Sequence, residues 1–239
     1  MLRHLHAKQA RQLAKLSWKV PHTSERFHLL EHFHLRDYYG DLVGEIAASH
    51  HWPAHRVAST FEDRHVNAPG FLAPAGWAVD ALKVAFLLRT ADAAHVDGQR
   101  APWFLFALRH PEGISHLHWK FQAKMGQPLR TSRGELRLSS GSPFDLHDRQ
   151  AWWLAYDVAC MIDREVRDAQ TLMRDTGRIP FAAVSVEHVG SPEAFATNVR
   201  TAGWEPVNVA PKIGDVPKVI ANLGGATLYG ERPVWRCVN

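Results

Sequence analysis

The sequence predicts a mainly α-helical protein that ends in a smaller mixed α/β segment. Three observations predict it. Residues 77–95 are nearly all apolar and long enough for a core helix. Over residues 149–176, Ala155, Val158, Ala159, Ile162, Val166, Ala169 and Met173 recur at helical spacing and form one buried stripe. After Arg178 the character changes, and residues 181–188 show the β-branched alternation of a strand. A boundary near Arg178 therefore divides the chain into a helical domain, 1–177, and a mixed tail, 178–239.

In chain order, residues 4–16 suit a short polar helix with Leu5, Leu13 and Leu16 on one face, stopped by Pro21. A second helix is expected over 24–34, with Ser24 as cap and Phe27, Leu30 and Phe33 or His34 on one side. Residues 41–51 place Val43, Ile46, Ala47 and His50 at i, i+3, i+4 and i+7, before Pro53 ends the helix. Pro69, Gly70, Pro74 and Gly76 mark a loop. Trp119 and Phe121, with Leu136 and Leu138, alternate with polar residues and read as a strand pair. Asp148 is placed to cap the long helix and Gly177 to stop it. In the tail, 207–209 reads as a short strand and 215–223 as a helix ended by Gly224-Gly225.

Composition narrows the function classes. A hydrophobic fraction of 46% and a charged fraction of 22% argue against disorder. A net charge of +4, without any run of Lys and Arg, is too weak to indicate nucleic acid. Residues 1–18 are polar and basic, unlike a secretory leader, and no apolar run reaches membrane-spanning length, so the expected compartment is the cytoplasm. Cys160 reads as a small buried hydrophobe and Cys237 lies near the end, which suggests neither a disulfide framework nor a zinc knuckle. The 16 histidines raise the prospect of metal or proton chemistry where they converge.

Two places can carry such chemistry. His50 and His51 end the 41–51 helix, with His50 on the apolar face. A ring buried there needs a metal, a carboxylate or a backbone partner. Asp92 shares a helical face with Ala81, Val84, Ala85 and Leu88, and is expected to be a ligand or half of a buried ion pair with Arg89. Gly224-Gly225 reads as a helix-ending turn, since no Gly-x-x-x-x-Gly-Lys pattern accompanies it. The aromatic group Trp103, Phe104, Phe106, Trp119 and Phe121 reads as core packing, with base stacking as the alternative.

The segments "IAASHHW", "LLRTADAAHVDGQRAP", "HLHWKFQ" and "AWWLAYDVACMIDREV" resemble the HD superfamily, in the branch found ahead of GHKL-type ATPase modules like those of heat-shock chaperones. The resemblance implies an HD-like helical bundle in which histidines and aspartates hold one or two metal ions that position a phosphate and activate water. It assigns metal ligation to His6, His50 or His51, and Asp92, with Mn, Fe or Mg as the ion, and phosphate binding to Arg89 and Arg100. The family's His-Asp pair precedes these ligands. Here only five residues precede His6, and a literal His147-Asp148 comes after Asp92, where it reads as a helix start. The tail "GWEPVNVAPKIGDVPKVIANLGGATLYGERP" is similar to the linker into the ATPase module, so the expectation is a product cut at both ends, without the ATP site.

The expected function is that of an HD-like metal-binding domain, a phosphohydrolase acting on a nucleotide or phosphate ester, coupled to a heat-shock-chaperone-like ATPase. The alternative is a catalytically inactive regulatory or protein-interaction part of that ATPase. A nucleic-acid-binding module ranks behind both, and no membrane partner is expected.

Overall fold

The computed structural model describes residues 9–208 except 72, 73 and 75. In chain order its strands and helices are β1 (Ser17–Lys19), β2 (Arg26–His28), α1 (Phe33–Ser49), α2 (Ala54–Phe61), β3 (His65–Asn67), β4 (Ala78–Asp80), α3 (Ala81–Ala94), α4 (Trp103–Arg109), α5 (Gly113–Lys124), β5 (Leu129–Arg130), β6 (Glu135–Arg137), α6 (Arg149–Asp175), β7 (Ser185–Val186) and α7 (Pro192–Phe195). The fold is mainly α with a small α+β part, as the sequence predicts. A compact unit ends at Pro206.

Helix α6 organises the unit. Its 27 residues make a rod roughly 40 Å long. Its buried stripe runs Ala151, Trp152, Ala155, Ala159, Ile162, Val166, Ala169, Gln170 and Met173. The first part of that stripe packs with Phe121, Leu138, Phe144, Val186, Phe195 and Val199. The last turns, through Ala169 and Met173, pack with Leu42, Ile46, Val57, Phe61, Leu82 and Phe86. One helix thus ties α1–α3 to α5 and the small sheet. Trp152 is fully buried, and its indole N–H donates to the Val199 carbonyl at 2.8 Å, so its polar atom is satisfied inside the core. The helix ends where Gly177 adopts φ +67°; the Gly177 N–H donates to the Arg174 carbonyl and the Arg178 N–H to the Met173 carbonyl. This paired closure satisfies carbonyls the helix leaves open, and the left-handed residue in it favours glycine.

The small sheets are local. β1 and β2 form an antiparallel hairpin with Trp18 opposite Phe27. β3 and β4 form another, with His65 opposite Asp80. β5 pairs antiparallel with β6, and β7 joins β6 in parallel, Glu135 opposite Ser185. At Gly44 a Cβ would sit 2.1 Å from the Arg11 carbonyl oxygen, so only glycine lets that segment lie against α1.

Several expected elements are corrected. No helix covers 24–34: Phe27 belongs to β2, drawn there by its cross-strand pairing with Trp18, and α1 starts at Phe33 with the His32 ring accepting from the Leu35 N–H at 3.2 Å. The expected 41–51 helix is therefore the second half of a longer one. Its buried face is Leu42, Gly44, Ile46 and Ala48, while Val43 is exposed. Of the expected 4–16 helix, residues 4–8 lie outside the described set; farther on, Ala10 and Ala14 are buried whereas Leu13 and Leu16 are exposed.

The expected 77–95 helix begins at Ala81. Residues 78–80 pair with β3, and the Asp80 side chain accepts from the Lys83 N–H at 3.1 Å. Its buried face is Ala81, Leu82, Ala85 and Phe86, leaving Val84 and Leu88 exposed. Trp119 and Phe121 lie on helix α5, not on a strand; the strand pair comes later, at β5 and β6. A strand over 181–188 shrinks to Ser185–Val186. Val207 and Asn208 belong to no strand, and Val209, the 215–223 helix, Gly224-Gly225 and Cys237 lie outside the described residues. No described helix is long and apolar enough to cross a membrane.

Candidate functional site

A cleft of about 560 Å³ opens between the ends of α1 and α3 and the facing sides of α5 and α6. Each helix contributes one face. Arg89, Asp92, Ala93 and Val96 come from α3 and its exit, and Ser115, His118, Trp119 and Gln122 from α5. Both sets follow i, i+3, i+4, i+7 spacing. Val158, Met161 and Glu165 come from α6, and His50 and His51 follow α1. Arg100 completes the rim from the turn after α3.

His50 is held at the C-terminus of α1. Its Nδ1 lies 2.5 Å from the Ala47 carbonyl oxygen. A carbonyl only accepts, so Nδ1 carries the proton in this contact. The backbone partner expected as one alternative for this ring is therefore present, in a ring that also lines the cleft. The His51 ring lies 4.0 Å from that of His50, tilted by 42°.

Arg89 is fixed from two sides. Its Nε and Nη2 donate to the two carboxylate oxygens of Glu165, the second at 2.6 Å, and its Nη1 donates to the Trp52 carbonyl. This bidentate pair is mostly buried, with side-chain exposures of 16% and 22%. The hydrogen bonds Arg89 donates to Glu165 hold the guanidinium's pKa above its ordinary value against the opposing effect of burial. The pair ties α3 to α6 and to the loop after α1.

Asp92 is less buried than an apolar-face reading predicts, at 40% side-chain exposure, because it lies in the last turn of α3 at the cleft. Its ion-pair partner is Arg100 rather than Arg89: Nη2 lies 3.1 Å from Oδ1. Arg100 Nη1 also donates to the carbonyls of Asp92 at 2.8 Å and His95 at 2.9 Å.

Of the expected site residues, His50, His51, Arg89, Asp92 and Arg100 all line this one cleft, and His6 lies outside the described residues. The His147-Asp148 pair lies outside the lining. Asp148 sits at the start of α6, but its carboxylate makes no capping bond. Instead Asp145 accepts the His147 and Asp148 N–H groups, while Asp148 pairs with Lys120 at 2.7 Å and Lys124 at 2.6 Å. Burial pushes the Asp148 carboxyl up, but the two lysines more than offset that and hold it below the usual carboxylate range. Cys160 is half-buried, with its Sγ 3.9 Å from the Val189 carbonyl, and burial pushes its thiol pKa up.

Sequence reasoning missed Ser115, His118, Gln122 and Glu165. The first three were legible had 113–124 been read with a helical period. Of the aromatic group, Phe121 is buried in the core, Phe104 is exposed, and Phe106 lies 5.8 Å from Trp119, ring to ring. The Trp103 side chain lies outside the described set.

The implied metal can be tested on the donors. Among the described residues, no group of three or more His, Cys, Asp or Glu side chains is arranged to hold an ion. Asp92 is bonded to a guanidinium instead. The described donor set does not fit a divalent ion.

The histidines at the end of one helix and the aspartate in the last turn of another lie on one cleft, as the resemblance to HD domains implies. The HD-CE family model matches residues 1–168, a span that includes every cleft residue, and the chain belongs to that family. No curated protein and no solved structure matches significantly.

Proposed function

We propose that the cleft binds the phosphate group of a nucleotide or other phosphate ester, and that the chain acts through binding, as the regulatory partner of an ATPase module, rather than by turnover. One observation carries the binding reading: His50, His51, His118 and two arginines line a cleft together with the apolar side chains of Trp119, Val158 and Met161. The cations and imidazoles suit an anionic group, the apolar side chains suit a base or other organic moiety, and the volume lies in the small-molecule range. Arg100, half exposed at the rim, is the group that meets the phosphate; Arg89 shapes the cleft through its pair with Glu165. The absence of turnover follows from both cleft carboxylates being committed to arginines. The ATPase partner rests on the likeness of the tail to a linker.

The test is calorimetric titration of nucleoside monophosphates and inorganic phosphate in the presence of a chelator. Binding that weakens at least tenfold in Arg100→Met supports the reading, and no binding by the wild type overturns it. A second reading, a metal-dependent phosphohydrolase, is favoured by His50, His51 and Asp92 lining the same cleft. Phosphate release from nucleotides with added Mn²⁺, lost in Asp92→Asn, would establish that reading instead.

A further inference from the structure

We propose that Arg100 keeps divalent cations off Asp92, so that the cleft works with a fixed organic cation in place of a metal ion. The inference concerns the same cleft but does not depend on its taking a phosphate.

Asp92 lines the same cleft as His50 and His51, and a carboxylate oxygen is a donor that divalent cations take. What stands at Asp92 is a guanidinium. Three acceptors converge on it: Asp92 Oδ1 at 3.1 Å, the Asp92 carbonyl at 2.8 Å and the His95 carbonyl at 2.9 Å. Both carbonyls lie at the C-terminal end of α3, the negative end of the helix dipole, which favours a cation; that of Asp92 also accepts from the His95 N–H at 3.4 Å. An exposed ion pair alone would be a weak lock. Here two further bonds to backbone anchor the guanidinium independently of the carboxylate.

The position of Arg100 is itself built. Residues Gly98–Arg100 form a short 3₁₀ turn, whose preceding Asp97 is buried and accepts from the Gln99 N–H at 3.0 Å. The Arg100 N–H donates to the Asp97 carbonyl at 3.1 Å, which closes the turn. A Cβ at Gly98 would meet the carbonyls of Gln122 and Ala123, so the turn lies against the end of α5. The arginine is thus delivered to Asp92 by a packed turn rather than by a free side chain. A divalent ion arriving there must displace three hydrogen bonds and sit beside a like charge.

The experiment is Mn²⁺ titration of the full chain, followed by the paramagnetic resonance signal of free Mn²⁺, with no phosphate present. Wild type, Arg100→Met and the double variant Arg100→Met/Asp92→Asn are compared. Methionine keeps much of the apolar stem of arginine and removes the charge. Arg100→Met is expected to bind Mn²⁺ at least tenfold more tightly than wild type, and the double variant to lose that gain. Equal affinity in wild type and Arg100→Met, no binding by either, or a gain that survives Asp92→Asn overturns the proposal. Arg100→Gln carries the same comparison should the methionine variant lose its helical circular dichroism. Because phosphate is absent, a cleft that binds no phosphate would sink the function proposed above and leave this result standing.

Discussion

Arg89 and Arg100 face the same cleft and each pairs with a carboxylate, but their surroundings separate their roles. Arg89 meets both oxygens of Glu165 and is mostly buried, whereas Arg100 meets one oxygen of Asp92 and is 39% exposed. Glu165 lies on α6, so the first pair links two helices across the core. The second joins the end of α3 to the turn that follows it. The lesson is that charge type does not decide function at this cleft. Burial and the span of chain being bridged do.

The comparison breaks first at Glu165. Glu165→Ala leaves the Arg89 guanidinium partly buried without its carboxylate, and urea unfolding should show a loss of about 3 kcal/mol. A loss below about 0.5 kcal/mol would mean that the pair is no more structural than a surface one.

Asp148 gives the next largest effect and a calibration outside the cleft, since its carboxylate is only 8% exposed and joins two lysines. Asp148→Asn should cost about 2 kcal/mol at neutral pH. The folded carboxyl is held below its unfolded value. Its contribution is therefore complete above the unfolded range near about 4, and is lost as pH falls through the folded value. Wild-type stability should accordingly decline on acidification below that range, and the variant's should decline less. Parallel acid profiles would remove the assigned role of the lysines.

The smallest stability effect is expected at the rim. Arg100→Met should change unfolding free energy by less than about 0.5 kcal/mol, while weakening phosphate binding at least tenfold. A stability loss as large as that at Glu165 would erase the contrast between the two arginines.

Much of this was legible in the sequence because helical periodicity depends on local spacing alone. Six of the seven residues expected in the stripe of α6 are buried there; the structure adds Ala151, Trp152 and Gln170 and leaves Val158 half-buried at the cleft. His50, His51, Arg89, Asp92 and Arg100, expected from the sequence as site residues, share one cleft. The face containing His118 was missed because the aromatic alternation around Trp119 fits a strand as well as a helix over so short a window. The hairpin at Phe27 was missed because a cross-strand partner is chosen by pairing, which a helical cap pattern at Ser24 does not reveal.

By itself the sequence determined the helical class, the long organising helix and its glycine stop, since these follow from spacing and from the backbone freedom of single residues. Which arginine pairs with which carboxylate was decided only in three dimensions. Glu165 and Arg89 are far apart in the chain and meet because packing brings α3 against α6, which leaves Asp92 to the arginine of the turn beside it. No local pattern encodes that choice, because the partner of a charged side chain is set by which helix faces the core brings together.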